Sequence, residues 1–225
     1  MTTVQARPTV DHTGQSQGRQ RPPRRVTLET ARKEVKGTVS VAYSHAGPWT
    51  LDAVLALPED TSQRVELVGG QLMMSPAPGL PHQRASHRLH VLLEQAAVAA
   101  DADVEVFEGI NVIVPDGLLI PDLAIIDAAA AEGSPVAVSA HDVLAVVEIA
   151  SPSTRVTDRK LKPALYAAAG IEHYWRIELE PAPRLLIGRL QGAAYADLPP
   201  LLAGAVARIE EPFPIEFDPD SLVLR

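Results

Sequence analysis

Residues 143–150 read VLAVVEIA, seven apolar side chains and one glutamate. The run is short, rich in β-branched residues and without alternation. That is the pattern of a strand covered on both faces, since a half-exposed strand would alternate. Such a strand belongs at the centre of a sheet with further layers above and below it. The chain is therefore constrained to an α/β architecture. The glutamate is the second constraint. A carboxylate in an apolar strand costs several kcal/mol unless it is paired or bound to a cation, so Glu148 needs a partner.

The flanking sequence supplies the other layers. Thr50 is placed to cap a short helix, LDAVLAL, which stops at Pro58. RVELVGGQLMMS alternates around Gly69-Gly70 and predicts a hairpin. SPAPGLP predicts a loop. From His82 to about Ala100, Leu89, Leu92, Leu93 and Ala96 fall on one helical stripe. VEVFEGINVIVP and LLIPDLAIID predict strands, and residues 128–142 a connector with weak helical content. DRKLKPALYAAAG predicts a helix ending at Gly170, with Pro163 confined to its first turn. EHYWRIEL predicts a strand, and the C-terminal 45 residues short strands and turns. No internal repeat is visible. The expected fold is one α/β domain over residues 47–225, a mixed β-sheet flanked by helices.

Charge divides the chain. The formal net charge is −8. Residues 1–46 hold 8 Lys/Arg and 3 Asp/Glu, a net of +5, and residues 47–225 hold 12 and 25, a net of −13. The first segment, densest at RQRPPRR, has few large apolar residues and cannot offset its ordering entropy by burial. It reads as a disordered basic tail. Two other readings stand beside that one: an arm contacting nucleic acid, and a start codon further downstream. No run of about 18 apolar residues exists, so no membrane span is expected. The first residues lack an apolar signal core, and the expected location is cytoplasmic. The chain has no cysteine, which excludes disulfides, thiolate metal sites and cysteine nucleophiles.

The chemistry is expected where acids stand against the hydrophobic pattern. Asp122 lies in LLIPDLAIID between apolar neighbours, and Glu148 lies near the end of the most apolar strand. If those strands are neighbours, both carboxylates converge on one cation. Oxygen ligands with open water positions suit Mg²⁺ or Mn²⁺. The helix that follows carries Lys160 and Lys162, with Tyr166 four residues after Lys162. A lysine beside two metal-binding carboxylates suits phosphodiester hydrolysis. His82, His87 and His90 lack an i, i+4 zinc spacing from His82. Walker A and GxGxxG motifs are absent from the sequence.

Four stretches together resemble the Uma2 family of restriction-endonuclease-like proteins, within the PD-(D/E)XK nuclease superfamily. They are GPWTLDAVLALP, RVELVGGQLMMSPAPGLPHQ, PDLAIID and VVEIASPSTRVTDRKLKPALYAAAGIEHYW, spread over about residues 47–190. The resemblance implies a restriction-endonuclease-like core. It implies that Asp122 is the PD acid and Glu148 the second acid, both holding Mg²⁺. Where E-x-K would place lysine, the sequence has Ala150. The lysine is then implied on the following helix at Lys162, with Tyr166 in register and Lys160 as the rival. The resemblance also implies the backbone carbonyl of Ile149 as a metal ligand and Glu66 as an extra acid completing the metal shell. His82 and Gln83 match a recurrent pair at the start of the long helix.

Each residue also has an ordinary reading. Tyr166 reads as a core aromatic, Glu66 as a surface partner of Arg64 or Arg84, and His82 as a helix-start residue. Ser151, Ser153 and Thr154 read as caps or turn residues. The expected function is a metal-dependent endonuclease acting on DNA, with a homodimer suggested by analogy. The alternative is a catalytically silent module that binds nucleic acid or a protein partner. A net of −13 predicts weak, metal-dependent and salt-sensitive engagement, helped by Arg84, Arg88, Arg155 and Arg159.

Overall fold

A computed structural model of the chain describes residues 45–58, 63–151 and 157–224. The reading of the basic tail falls almost wholly outside these residues, as do those of Ser153, Thr154 and Arg155.

Local chemistry sets the early elements as expected. Thr50 caps helix α1 (Leu51–Leu55), its hydroxyl accepting from the Ala53 N–H at 3.3 Å. Strands β1 (Gln63–Val68) and β2 (Gln71–Pro76) pair antiparallel. Gly69 and Gly70 join them at φ +56° and +77°, the left-handed conformations a two-residue turn requires. Helix α2 (Leu80–Ala99) buries Ala85, Leu89, Leu93 and Ala97, one residue per turn. Leu92 and Ala96 lie at the margin of that stripe.

The expected strand LLIPDLAIID is two strands. After β3 (Val104–Glu108) and β4 (Val112–Val114), the chain forms β5 (Gly117–Leu119) and then β6 (Leu123–Asp127). Pro121 lies in the gap and has no N–H to give to a ladder. β5 pairs with β1, whereas β6 pairs with β3. The break carries the chain from one sheet to another and leaves Asp122 just before β6. After β7 (Val138–Ser139) comes β8 (Val143–Ala150), the apolar run. A π-helical turn, Thr157–Leu161, leads into helix α3 (Lys162–Ala168), with Pro163 in its first turn. Gly170 ends it at φ +81°. β9 (His173–Glu178) follows. The C-terminal region is more regular than expected, because β10 (Arg184–Gln191) is as long as β8. β11 (Ala194–Asp197), β12 (Leu201–Leu202), β13 (Ala207–Ile209) and β14 (Ile215–Phe217) complete it.

The main sheet runs β11-β10-β9-β8-β6-β3, with β12 also on β10. β8 is central as its composition requires, antiparallel to β6 and parallel to β9. Alternate residues feed two cores. Val147, Ile149 and Trp175 pack with Leu89 and Leu93 of α2. Val146 and Tyr174 pack on the opposite face with Tyr166 of α3 and with Val112 and Leu119 of the second sheet. That second sheet runs β2-β1-β5-β4-β7. The mixed α/β core expected from the sequence is therefore present. No helix among the described residues is long and apolar enough to cross a membrane.

Candidate active site

Six elements bring their polar side chains together at the end of β8. Glu148 extends from the even-numbered face of that strand. Asp122 sits at the break before β6, next to β8 in the sheet. β1 contributes Arg64 and Glu66, which share a face because they are two residues apart on a strand. α3 contributes Lys162 and Tyr166 from one helical face. His82 comes from the first turn of α2 and Asp158 from the π-helical turn. The cleft has a volume of about 110 Å³. Glu66, Asp122, Glu148, Asp158 and Lys162 are all buried.

The hydrogen bonds divide into two groups. Lys162 Nζ lies 2.9 Å from Oε1 of both Glu66 and Glu148. Tyr166 donates its hydroxyl to the same Glu148 oxygen at 2.8 Å, and Glu66 Oε1 also accepts from the Ile120 N–H at 2.8 Å. In the other group, Asp122 Oδ2 accepts from the Ile149 N–H at 2.7 Å and from His82 Nε2 at 2.9 Å. Asp122 Oδ1 is ion-paired with Arg64. His82 Nδ1 is buried and has no hydrogen-bond partner among the described residues.

Electrostatics follow from this arrangement. Burial pushes the Glu148 carboxyl up to about 8; Lys162 opposes that, while Asp122, Asp158 and Glu66 add to it. Burial also acts to raise Asp122, but His82, Arg64 and the Ile149 N–H outweigh it and hold the group below the usual carboxylate range. The Lys162 ammonium is held above its ordinary value, its burial outweighed by Glu148 and Glu66. Tyr166 is pushed well up by burial and by the same two acids, so it stays protonated and donates.

Several sequence expectations meet here. Asp122, Glu148, Lys162, Glu66 and His82 share the cleft, and Tyr166 is buried behind it on Glu148. Lys160, the rival lysine, is exposed. The Ile149 main chain is at the cleft, and its N–H already holds Asp122. Gln83 turns away and donates to the Pro78 carbonyl. Arg84 is exposed, and Arg88 donates to the carbonyls of Ser221 and Leu224, which ties down the C-terminal segment. Two cleft residues were not anticipated there, Arg64 and Asp158. Arg64 lies two residues before Glu66 on the same strand face, and Asp158 lies four residues before Lys162. Those spacings were the signals available.

The family model described as "Putative restriction endonuclease", Uma2, matches residues 51–223. The chain belongs to the Uma2 family. The match takes in every element that borders the cleft. No curated protein matches the chain. Among solved structures, a crystal structure of a putative nuclease belonging to DUF820 from Anabaena variabilis ATCC 29413 is similar. It has a TM-score of 0.61 at 18% identity, over 79% of this chain and 100% of that one. At that identity the likeness is one of fold.

The Uma2 cleft can be tested against a divalent cation through its donor chemistry. It gathers four carboxylates and only two fixed cations, Arg64 and Lys162. An all-oxygen donor set with excess negative charge fits a hard cation such as Mg²⁺ or Mn²⁺. Burial is the main cause of the upward push on Glu148, and the neighbouring acids of that set add to it. Among the described residues, no three His, Asp or Glu side chains already stand in a coordinating arrangement. Arg64 and Lys162 lie against the carboxylates that would form one.

Proposed function

We propose that this protein is a divalent-cation-dependent endonuclease that hydrolyses phosphodiester bonds in DNA. One observation carries the reading. Asp122, Glu148, Glu66 and Lys162 come from four separate segments and meet, buried, in one cleft at the end of the central strand. A folding chain gains nothing by collecting like charges in this way, since each buried carboxylate is a cost. The arrangement is reasonable where a cation and a phosphate are to be held.

Asp122, Glu148 and the Ile149 carbonyl would hold the Mg²⁺ or Mn²⁺, with Glu66 completing the shell. Such a cation supplies charge neutralisation of the phosphate and an acidified water. The chain's own residues do the rest. Lys162, an ammonium at neutral pH, donates hydrogen bonds toward the attacking water and the developing charge. Tyr166 donates to Glu148 and fixes its rotamer. His82 and the Ile149 N–H fix the Asp122 carboxylate. Arg64 neutralises Asp122 and must give way, wholly or in part, for the acid to reach a cation. Cutting both strands of a duplex calls for two such sites, hence a homodimer, or for two successive nicks.

A second reading is a catalytically silent module that binds nucleic acid or a protein. It is favoured by the pairing of both Asp122 oxygens with protein groups. One assay separates the two. Purified protein is incubated with plasmid DNA, linear DNA and RNA in Mg²⁺, in Mn²⁺ and with chelator. Cation-dependent cleavage of DNA by wild type, lost in Asp122→Asn and in Glu148→Gln, is the expected result. No cleavage of any substrate with either metal would sink the nuclease reading.

A further inference from the structure

Beside the acidic cleft, one acid is surrounded by three arginines. Glu178 ends β9 and is buried. Its Oε1 accepts from Arg159 Nε at 2.9 Å and Nη2 at 2.7 Å, and from Arg176 Nε at 3.2 Å. Its Oε2 accepts from Arg184 Nε at 2.9 Å and is also paired with Arg184 Nη2. One carboxylate balances one guanidinium, so the cluster keeps an excess of two positive charges. That excess stands out in a region, residues 47–225, with a net charge of −13. The Arg159 and Arg184 side chains are 39% and 37% exposed. Glu178 occupies the Nε–Nη2 edge of both and leaves their Nη1 amines to donate elsewhere.

The position of the cluster is fixed by strand register. β8 and β9 are parallel, with Glu148 beside Arg176 and Ala150 beside Glu178. Register partners present their side chains on the same face. Glu178 is therefore one strand across and two residues on from Glu148, about 8 Å away. A hollow of about 180 Å³ whose lining includes His82, Ala150, Ser151, Glu178 and a second acid, Glu180, adjoins the cluster. It shares Gly79, His82 and Ser151 with the acidic cleft. The acidic cleft and the basic cluster are thus neighbours along one surface.

We propose that Arg159, Arg176 and Arg184 form a phosphate subsite that grips the nucleic-acid backbone next to the phosphodiester in the acidic cleft. The identity of the strand rests on the nuclease reading. Guanidinium edges match phosphate oxygens bidentately. A spacing of about 8 Å is a little over two steps of a strand that rises ~3.4 Å per nucleotide. Glu178 has a defined part: it orders the three side chains while they are empty and competes with the phosphate for them.

The test uses the full chain and labelled oligonucleotides, single-stranded and duplex, with Ca²⁺ in place of Mg²⁺. Binding is followed by anisotropy across a salt series. The double substitution Arg159→Gln with Arg184→Gln is expected to weaken binding about tenfold or more and to lower the salt slope by about 2. Arg159→Gln alone, at a more exposed side chain, loses several-fold. Glu178→Gln tightens binding, because it removes the competing anion; a purely structural network predicts the opposite sign. Calorimetric metal binding stays at the wild-type value in all of them. An unchanged affinity and salt slope in folded arginine variants overturns the proposal, as does weaker binding by Glu178→Gln. Competition by polyglutamate as effective as by DNA would assign the subsite to an acidic peptide and overturn the nucleic-acid assignment. Loss of binding in the arginine variants of a protein that cuts nothing keeps the subsite and removes the nuclease reading. Cleavage with undiminished binding does the reverse.

Discussion

Lys162 bridges Glu66 and Glu148 inside the cleft, with its side chain 7% exposed. Lys162→Met therefore leaves two buried carboxylates without their cation. Breaking a buried pair from one side costs about 3–5 kcal/mol, far more than the pair itself is worth. Denaturant unfolding of the variant should show a loss in that range, together with loss of cleavage. A loss under about 1 kcal/mol would mean that water, not Lys162, compensates the acids. Tyr166→Phe removes one donor to Glu148, and about 1–2 kcal/mol is expected from the same measurement. At this scale the sequence was informative where a residue broke its local pattern. Asp122 and Glu148 were legible because acids in apolar segments demand a partner. Arg64 and Asp158 were not, because a charged residue in a strand that alternates or at a helix start is unremarkable until its neighbours in space are known.

Strands and turns position these side chains through a few backbone requirements. Gly117 opens β5 opposite Val68, at φ +154°. A Cβ there would stand 2.0 Å from the Leu67 carbonyl oxygen. Backbone cannot yield as a side chain tip can, so Gly117→Ala must spread β5 from β1. The expected loss is about 2–4 kcal/mol, combining overpacking with a strained φ. Glu66 is the residue before Leu67, so weaker metal binding should accompany the loss; a stable variant with unaltered metal affinity would separate β5 from the site. Helix starts, the glycine turn and the central strand were legible, because they depend on residues close in sequence. The division of LLIPDLAIID was not. Pro121 marks a break that is local, but which sheet each half joins is a tertiary choice.

Two predictions belong to the molecule as a whole. A cation that binds only the folded state adds stability by mass action. Mg²⁺ at about 100 times its dissociation constant contributes about 2.7 kcal/mol and raises the melting temperature by roughly 5–10 °C. Asp122→Asn should abolish that shift, and a shift that survives in it would move Asp122 out of the metal site. The second concerns acid. Arg184 and Arg159 hold Glu178 below the usual carboxylate range, against the upward push of its burial. A lowered folded-state value gives stability that is present above the unfolded value, about 4.3. It is lost as pH falls through the folded one. The partial exposure of the arginines keeps this contribution small. Stability curves measured below pH 5 should fall less steeply for Glu178→Gln than for wild type; parallel curves would show that Glu178 does not titrate on unfolding.

The sequence by itself determined the layers. A doubly buried strand, an amphipathic helix and a glycine hairpin are set by the burial and backbone freedom of residues near one another in the chain. It also determined that Glu148 and Asp122 needed partners, since that cost is local. Which charges met them was decided by the tertiary structure. Arg64 reaches Asp122 across 58 positions, and Lys162 reaches Glu66 only because two sheets and α3 close on one point. Likewise, three arginines gather on Glu178 through strand register and a π-helical turn. Coulomb interactions depend on distance in space, and only the packed fold sets those distances.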